Sequence, residues 1–430
     1  MRLLTLFTLV LLAVTSCIRI NEDDDVVVPT EPPKVGATGE ILDMPYLWKA
    51  AITKDDRRNA IVSPAIYNNT VVLSGNDVAK GTKDVLIAFD LETGEEKWRW
   101  DDFYTLGGSR SLSNGIYEIN QKDNIWLLED SPEYYAIDLE TGETIWREKR
   151  GKGYFDFAPR IYKDHFYQPY ALWVDSIYVP TLMRGNIRTG EIDSVVSPPI
   201  DQIFKWNDIY GNINAPLLFE DNGVDYALLQ YATYIDVFKS EAKNMVALYN
   251  LTERKFEFSD LQIGELSGKP FGQNPIRHKD LIFTNPGNYF AAVNWKTGEI
   301  VWERTLNGRA SFDVYEDRLY LVNEFGSGRY VYCLVIENGS EVWSDTDLRR
   351  GGAAEQIHFL NDVMYWNSRG SGTIFGYDTN TGEMLLNLKS PEPASFDIWA
   401  GFRVVPGKDG EKGKIIAATP FNVYCYEALR

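Results

Sequence analysis

The sequence predicts an all-β chain in which eight four-stranded antiparallel blades form one β-propeller. A strand–corner–strand unit recurs along the chain, and its two clearest copies place Asp90 and Asp138 48 residues apart. Each corner follows another pair of strand-like segments, so one repeat holds four strands. A further strand-like segment at residues 45–51 has no blade of its own and is left to complete the last one. These three observations favour a closed ring.

The repeated corner has a fixed order of residue types. An alternating strand leads to Asp or Asn, then Thr and Gly follow, and a second strand carries a Trp four residues after the Gly. The Asp or Asn side chain caps a tight turn and Gly accepts a positive φ, so each unit is a β-hairpin corner. Because strand side chains alternate, we expect the Trp to pack against the neighbouring blade. The corner residues are Asp90, Gly94 and Trp98; Asp138, Gly142 and Trp146; Gly298 and Trp302; Gly339 and Trp343; and Asp378 and Gly382, with a fainter copy at Gly190 and one lacking Gly at residues 252–255.

Closure of the ring follows from counting strands. After the seven corners, residues 398–430 contain three predicted strands, at about residues 399–405, 414–419 and 422–428. The missing fourth strand is predicted at residues 45–51, with Trp48 in the place of the repeat Trp. Closing the ring in this way removes open sheet edges that would promote aggregation. Eight blades of about 48 residues account for residues 44–430, and seven blades are the alternative.

The first residues of the chain predict export and a lipid anchor. Residues 1–16 form a secretory signal, with a basic start, an apolar run from Leu3 to Val14 and small residues before Cys17. A Cys at this boundary resembles the lipobox of bacterial lipoproteins, which makes Cys17 the lipidated first residue of the mature chain. The alternative is an ordinary signal peptide with an incidental Cys. Residues 17–43 are then a tether that is acidic and rich in Pro, and residues 44–430 form the propeller domain.

The tether also bears on localisation. An acidic run at residues 22–25 follows Cys17 closely and is similar to the signals that send some Gram-negative lipoproteins to the outer face of the outer membrane. The alternative is a solvated linker, since charge runs are usually just solvated. The predicted location is the outer membrane, with a lipid anchor, on the periplasmic or the cell-surface face.

Composition excludes several classes of function. Lys and Arg total 43 against 62 Asp and Glu, so the formal net charge of −19 disfavours nucleic acid as a partner. Three His and three Cys are too few and too scattered for the usual zinc spacings or for a disulfide framework. The chain is otherwise rich in aromatic residues, which is typical of a large globular core.

The corner pattern Ala-x-Asp-x-x-Thr-Gly-x-x-x-Trp resembles the repeat of the propellers of the pyrroloquinoline quinone (PQQ) type. This family includes the quinoprotein dehydrogenases and BamB, a non-enzymatic lipoprotein of the outer-membrane assembly machinery. The resemblance covers nearly all of residues 44–430. Ser194 and Leu386 stand where the repeat has Trp, and Glu253-Arg254 replace Thr-Gly in the fourth corner. The resemblance implies either an envelope scaffold or a dehydrogenase that uses PQQ and calcium.

Enzyme activity is disfavoured by the residues that are absent from the sequence. Dehydrogenases of this family hold the quinone against an adjacent, disulfide-linked Cys pair, and this chain has no adjacent Cys residues. Cys333 and Cys425 fall in the third strands of two blades that are separated by a whole blade, too far apart for a disulfide. The common hydrolase, metalloprotease, phosphate-loop and EF-hand motifs are also absent. The sequence therefore predicts no enzyme, no cofactor and no catalytic metal.

Binding is the remaining class of function. Residues 154–178 hold nine aromatic residues, most of which we interpret as core because blade interfaces must be filled. Trp173, Trp206 and Tyr231 are candidate aromatics of a ligand face, the latter two near long loops between residues 191 and 244. Two functions stay open: a scaffold that binds other envelope proteins, similar to BamB, and a surface protein that binds glycan or peptide. A third function, that of a PQQ-dependent dehydrogenase, is less favoured.

Overall fold

The computed structural model describes most of the chain from residue 34 onward. Every regular element in this part is a β-strand. Cys17 and the predicted signal segment lie outside it. The described residues are 34–36, 39–53, 64–77, 83–102, 116–120, 123–130, 133–149, 153–154, 159–174, 177–197, 213, 216–236, 241–264, 274–286, 289–306, 310–323, 331–346, 353–368, 371–393, 396 and 402–430.

The strands form eight antiparallel sheets, which confirms the predicted eight blades against the alternative of seven. We number the blades from the one that carries Gly94. Blade 1 contains Ala65–Tyr67, Thr70–Asp77, Lys83–Asp90 and Glu96–Trp100; blade 2 contains Ile116–Asn120, Ile125–Asp130, Glu133–Asp138 and Thr144–Lys149; blade 3 contains Arg160–Tyr162, His165–Val174, Ile177–Asn186 and Ile192–Val196, with Gly153–Tyr154 added; and blade 4 contains Leu217–Asp221, Val224–Asp236, Glu241–Asn250 and Lys255–Gln262.

The second half of the ring has the same order of strands. Blade 5 contains Ile276–His278, Leu281–Thr284, Tyr289–Asn294 and Glu299–Thr305; blade 6 contains Ala310–Tyr315, Arg318–Asn323, Val331–Val335 and Glu341–Asp345; blade 7 contains Ala353–Leu360, Val363–Ser368, Ile374–Asp378 and Met384–Leu388, with Lys34–Val35 and Ile41–Asp43 added; and blade 8 contains Phe402–Val405, Lys414–Ala418, Asn422–Glu427 and Tyr46–Ala51. First strands of neighbouring blades lie against one another, as those of blades 6 and 7 do, so the first strands are innermost.

Blade 8 closes the ring as the sequence predicts. The segment Tyr46–Ala51 pairs antiparallel with Asn422–Glu427, and Trp48 lies directly opposite Cys425. Trp48 is 2% exposed, because it packs in the seam between blade 8 and blade 1. The N-terminal strand of the propeller, Tyr46–Ala51, is thereby hydrogen-bonded to its C-terminal strand, Asn422–Glu427.

The hydrophobic core is divided among the seams between blades. Each of the eight clusters of buried residues draws its members from two neighbouring blades, and together they join all eight blades in a ring. The fold is therefore stabilised mainly by blade-to-blade packing, because a four-stranded sheet alone cannot bury both of its faces.

The repeat Trp of one blade packs on the corner Gly of the next, which confirms the predicted role of the indole. The pairs are Trp48 with Gly94, Trp98 with Gly142, Trp146 with Gly190, Trp302 with Gly339 and Trp343 with Gly382. Each indole Nε1 also donates a hydrogen bond of 2.8 to 3.2 Å to a backbone carbonyl at that corner. Gly is required there because its φ is positive and the ring leaves no room for a Cβ. We call this contact the Trp–Gly latch.

Three seams lack the Trp–Gly latch. Between blades 4 and 5, Phe258 packs against Gly298 instead. Between blades 3 and 4, the Tyr162 hydroxyl donates to Asp225 at 2.8 Å and the Lys163 ammonium contacts the same carboxylate at 2.6 Å. Between blades 7 and 8, Leu386 occupies the Trp position and lies opposite Ile41 from the preceding segment. The departures from the repeat at Ser194, Leu386 and Glu253 therefore coincide with seams that are joined by other contacts.

Residues 34–36 and 39–43, which the sequence places in the tether, are attached to the outer edge of blade 7. The short strand Ile41–Asp43 runs parallel to Met384–Leu388, and Lys34–Val35 pairs with it on the far side. Among the residues that the structure describes, none belongs to a helix of the length and apolarity needed to cross a bilayer.

Candidate functional site

The acidic residues that recur in the corners of the repeat cap their turns. Oδ1 of Asp138 accepts hydrogen bonds from the backbone N–H groups of Glu140 and Thr141 at 2.9 and 2.8 Å. Asp90 accepts the same pair from Glu92 and Thr93. Burial alone raises the pKa of Asp90, but the Thr93 and Glu92 amides and the nearby Lys97 ammonium outweigh it, so its pKa lies below the usual value. These carboxylates therefore stabilise the corners by capping their turns.

The two described thiols are buried, and burial also shifts the pKa of the His358 imidazole. Cys333 and Cys425 are free and fully buried in blades 6 and 8, and burial raises the pKa of Cys425 to about 12. Thiolate is the nucleophilic form, so neither thiol is activated. Burial lowers the pKa of His358 to about 3, and its Nε2 lies 3.0 Å from the carbonyl oxygen of Phe402. No cluster of three or more metal-ligating side chains occurs within the described ranges.

Two long hairpins distinguish one end of the propeller. Turns between first and second strands and the Gly corners lie at one end, the corner face; connections between second and third strands lie at the other, the loop face. In blade 3 the strands that bound this connection have ten residues each, and in blade 4 they have 13 and ten. The equivalent strands have four to eight residues elsewhere.

The extra residues extend the two hairpins beyond the loop face. At about 3.3 Å per residue, strands of ten residues extend about 13 to 20 Å further than the strands of blades 2 and 5 to 8, and about 7 Å further than those of blade 1. The hairpin of blade 3 pairs up to Val174 opposite Ile177, and that of blade 4 pairs up to Asp236 opposite Glu241. Gly153–Tyr154 adds a third strand along the inner edge of the blade 3 hairpin. Neighbouring blades therefore present two raised ribbons, which form the candidate binding site.

The predicted ligand-face aromatics have three different outcomes. Trp173 lies in the raised hairpin of blade 3, directly opposite Tyr178 in the strand register. Tyr231 is 1% exposed in the seam between blades 3 and 4, and its hydroxyl donates to the carbonyl of Ser259. This corrects the expectation for Tyr231, because a ring buried by the adjoining blade cannot stack on a ligand. Trp206 lies outside the described residues.

The aromatic stretch at residues 154–178 is core where its side chains are described. Phe166, Tyr167 and Tyr170 are at most 6% exposed. The Phe166 ring stacks on Tyr134 of blade 2, with 5.5 Å between ring centroids. This confirms the interpretation as core for these three rings, and the remaining rings of the stretch stay a prediction. The long hairpins themselves were not predicted, although the unusual distance from residue 222 to the corner at residue 250 is a signal in the sequence.

A family model described as outer membrane protein assembly factor BamB matches residues 13–149 and 252–406 of the chain. No curated protein sequence matches the chain. The unmatched middle region contains most of blades 3 and 4, which are also the blades with the raised hairpins.

Solved structures similar to this chain come from both branches of the propeller family. Quinohemoprotein alcohol dehydrogenase ADHIIG from Pseudomonas putida HK5 has a TM-score of 0.60 at 10% identity, over 88% of this chain and 76% of that one. BamB from Moraxella catarrhalis has a TM-score of 0.51 at 10% identity, over 86% of this chain and 97% of that one. A europium-containing methanol dehydrogenase has a TM-score of 0.59 at 10% identity, over 88% and 87%. At such identities the likeness concerns the fold alone.

Proposed function

Because the chain belongs to the family described as outer membrane protein assembly factor BamB, we propose that it is a non-enzymatic lipoprotein of the cell envelope whose propeller is a scaffold for other envelope proteins. The observation that carries the proposal is the pair of raised hairpins on the loop face of blades 3 and 4. A rigid ring that presents long projections on one face is suited to binding a macromolecule, since binding usually resides on segments that a rigid scaffold positions.

Lipid anchoring is the second part of the proposal. The motive is Cys17 directly after an apolar export signal, followed by an acidic tether up to the first described strand. A diacylated and N-acylated Cys would hold the propeller at a membrane surface, because each buried CH₂ group contributes about 0.8 kcal/mol. Membership in the family described as outer membrane protein assembly factor BamB favours the outer membrane as the location.

The dehydrogenase branch is the competing assignment, since its structures are as similar in fold as BamB. Two features support the scaffold. The adjacent Cys pair that clamps the quinone in that branch has no counterpart in the sequence, and Cys333 and Cys425 are buried in separate blades. Titration calorimetry with PQQ and calcium tests this directly. We expect no binding, and micromolar binding or dye reduction with an alcohol would move the protein to the dehydrogenase branch.

Site-specific photo-crosslinking in whole cells tests the scaffold. A photoreactive amino acid replaces Val174 or Asp236 at the described ends of the raised hairpins, and a matched control replaces Glu140 on the corner face. We expect discrete protein adducts from the two hairpin positions and none from the control. Adducts to glycan, or equal adducts from all three positions, would contradict a protein-binding loop face.

A further inference from the structure

The outer edge of blade 7 differs in chemistry from the other outer edges. The fourth strand of every other blade carries at least one charged residue, as in the sequences EKWRW, TIWREK and EIVWERT. The fourth strand of blade 7, Met384–Leu388, reads MLLNL and carries none. Charged side chains on edge strands prevent pairing with foreign strands. An uncharged edge is therefore suited to being covered.

Residues 34–43, which we call the strap, cover this edge within the same chain. Ile41 lies opposite Leu386 in parallel register, and its side chain packs with the hydrophobic cluster between blades 7 and 8. Met44 and Tyr46 join the same cluster, and the Tyr46 ring lies 5.5 Å from that of Tyr424. The strap thus fills the seam in which Leu386 replaces the Trp of the latch.

The described part of the strap pairs with blade 7 over a short register. Its strand Ile41–Asp43 shares one register pair with blade 7, and its outer strand has two residues, of which Val35 is 62% exposed. The ion pair between Lys34 and Asp43 joins two exposed side chains, and such pairs contribute little. Ile41 packs against the cluster between blades 7 and 8, and Glu40 beside it is also buried, so replacing Ile41 should weaken the attachment. Pro45 separates the strap from Tyr46–Ala51, which pairs with Asn422–Glu427 in blade 8.

We propose that the outer edge of blade 7 is a docking site for an extended strand of a partner protein that places an apolar residue opposite Leu386, and that the strap occupies this site in cis. The inference deepens the proposed scaffold function and rests on it, since it names the kind of segment that a partner presents. The chemistry of the partner strand is inferred from that of the strap, which places an apolar residue opposite Leu386 in a strand that runs parallel to Met384–Leu388. The partner strand adds to the sheet by β-augmentation.

The test uses a fluorescent synthetic peptide with the sequence of residues 34–43 and the purified mature protein. Ile41→Asp or, as a milder change, Ile41→Ser should release the strap, and Val35→Asp is the control that adds a charge at an exposed position of the same hairpin. While the strap covers the edge of blade 7, only the fraction of molecules with a free edge can bind the peptide, which lowers the apparent affinity for the peptide by that fraction. We therefore expect the peptide to bind both Ile41 variants at least about tenfold more tightly than it binds wild type or Val35→Asp.

Two further measurements locate the binding. A photoreactive group on the peptide should label Met384–Leu388. An Ile41→Cys, Leu386→Cys disulfide, which locks the strap in place, should abolish binding. Equal affinity for all variants, binding to the locked protein or labels elsewhere would overturn the proposal. These results do not involve the raised hairpins, so adducts at Val174 and Asp236 would leave the scaffold function standing if the peptide failed to bind.

Discussion

The Trp–Gly latch between blades 1 and 2 allows a quantitative prediction through Gly142→Ala. Gly142 has φ +74°, and a Cβ added there lies 2.6 Å from the indole of Trp98. A left-handed conformation costs an L-residue about 1 to 2 kcal/mol. Displacing the ring also weakens the hydrogen bond of 3.2 Å from Trp98 Nε1 to the Leu139 carbonyl. Such a bond contributes about 0.5 to 1.5 kcal/mol, and the lost packing adds to it.

The expected loss in the free energy of unfolding is therefore about 2 to 4 kcal/mol. Gly223→Ala is the matched control, because Gly223 has φ +80° and its added Cβ meets no atom within 4 Å. It should cost about 1 to 2 kcal/mol, the backbone contribution alone. Equilibrium denaturation with urea measures both. Equal losses for the two variants would show that the indole contact contributes nothing to stability.

A double-mutant cycle isolates the contact. In a Trp98→Ala background the ring that opposes a Cβ at Gly142 is gone, so Gly142→Ala should cost only the backbone contribution there. The coupling between the two substitutions then equals the energy of the latch, about 1 to 2 kcal/mol. A coupling near zero would refute the reasoning from the close approach of indole and glycine.

Three other predictions concern the anchor, ring closure and pH. Cys17→Ser should release the protein from membranes and abolish labelling by a fatty acid; an unlabelled wild type would exclude the anchor. Deletion of residues 44–52 should unfold or aggregate the propeller, because blade 8 then exposes an unpaired edge; an unchanged melting temperature would contradict this. The pKa of Asp378 is raised by burial but lowered more by Arg430 and the Thr381 amide, so it lies below the value of an unfolded Asp. Its charge should therefore stabilise the fold above the unfolded pKa, at about pH 4, and lose this effect as pH falls through the folded pKa. Wild type and Asp378→Asn should therefore differ in unfolding free energy at pH 7 and converge once the pH is below the folded pKa.

The ring of eight blades was predictable from the sequence because its signals are local. Each corner needs a capping side chain such as Asp138 and a Gly with positive φ, and these requirements act within six residues. The closing strand was predictable because Trp48 carries the repeat position without a blade of its own. Four strands per repeat and the period of the corners then leave one arrangement without open edges.

Contacts between blades other than those of the repeat Trp could not be derived in the same way, because they join residues far apart in sequence without a repeated pattern. The burial of Tyr231 depends on the width of the seam between blades 3 and 4, which only the packed ring defines. The pairing of Ile41 with Leu386 spans almost the whole chain and leaves no local pattern. Hairpin length in blades 3 and 4 depends on how far pairing persists beyond the ring. The sequence by itself thus determined the blade and its corner through local turn chemistry, and the tertiary structure alone decided which edges are covered and which ribbons project.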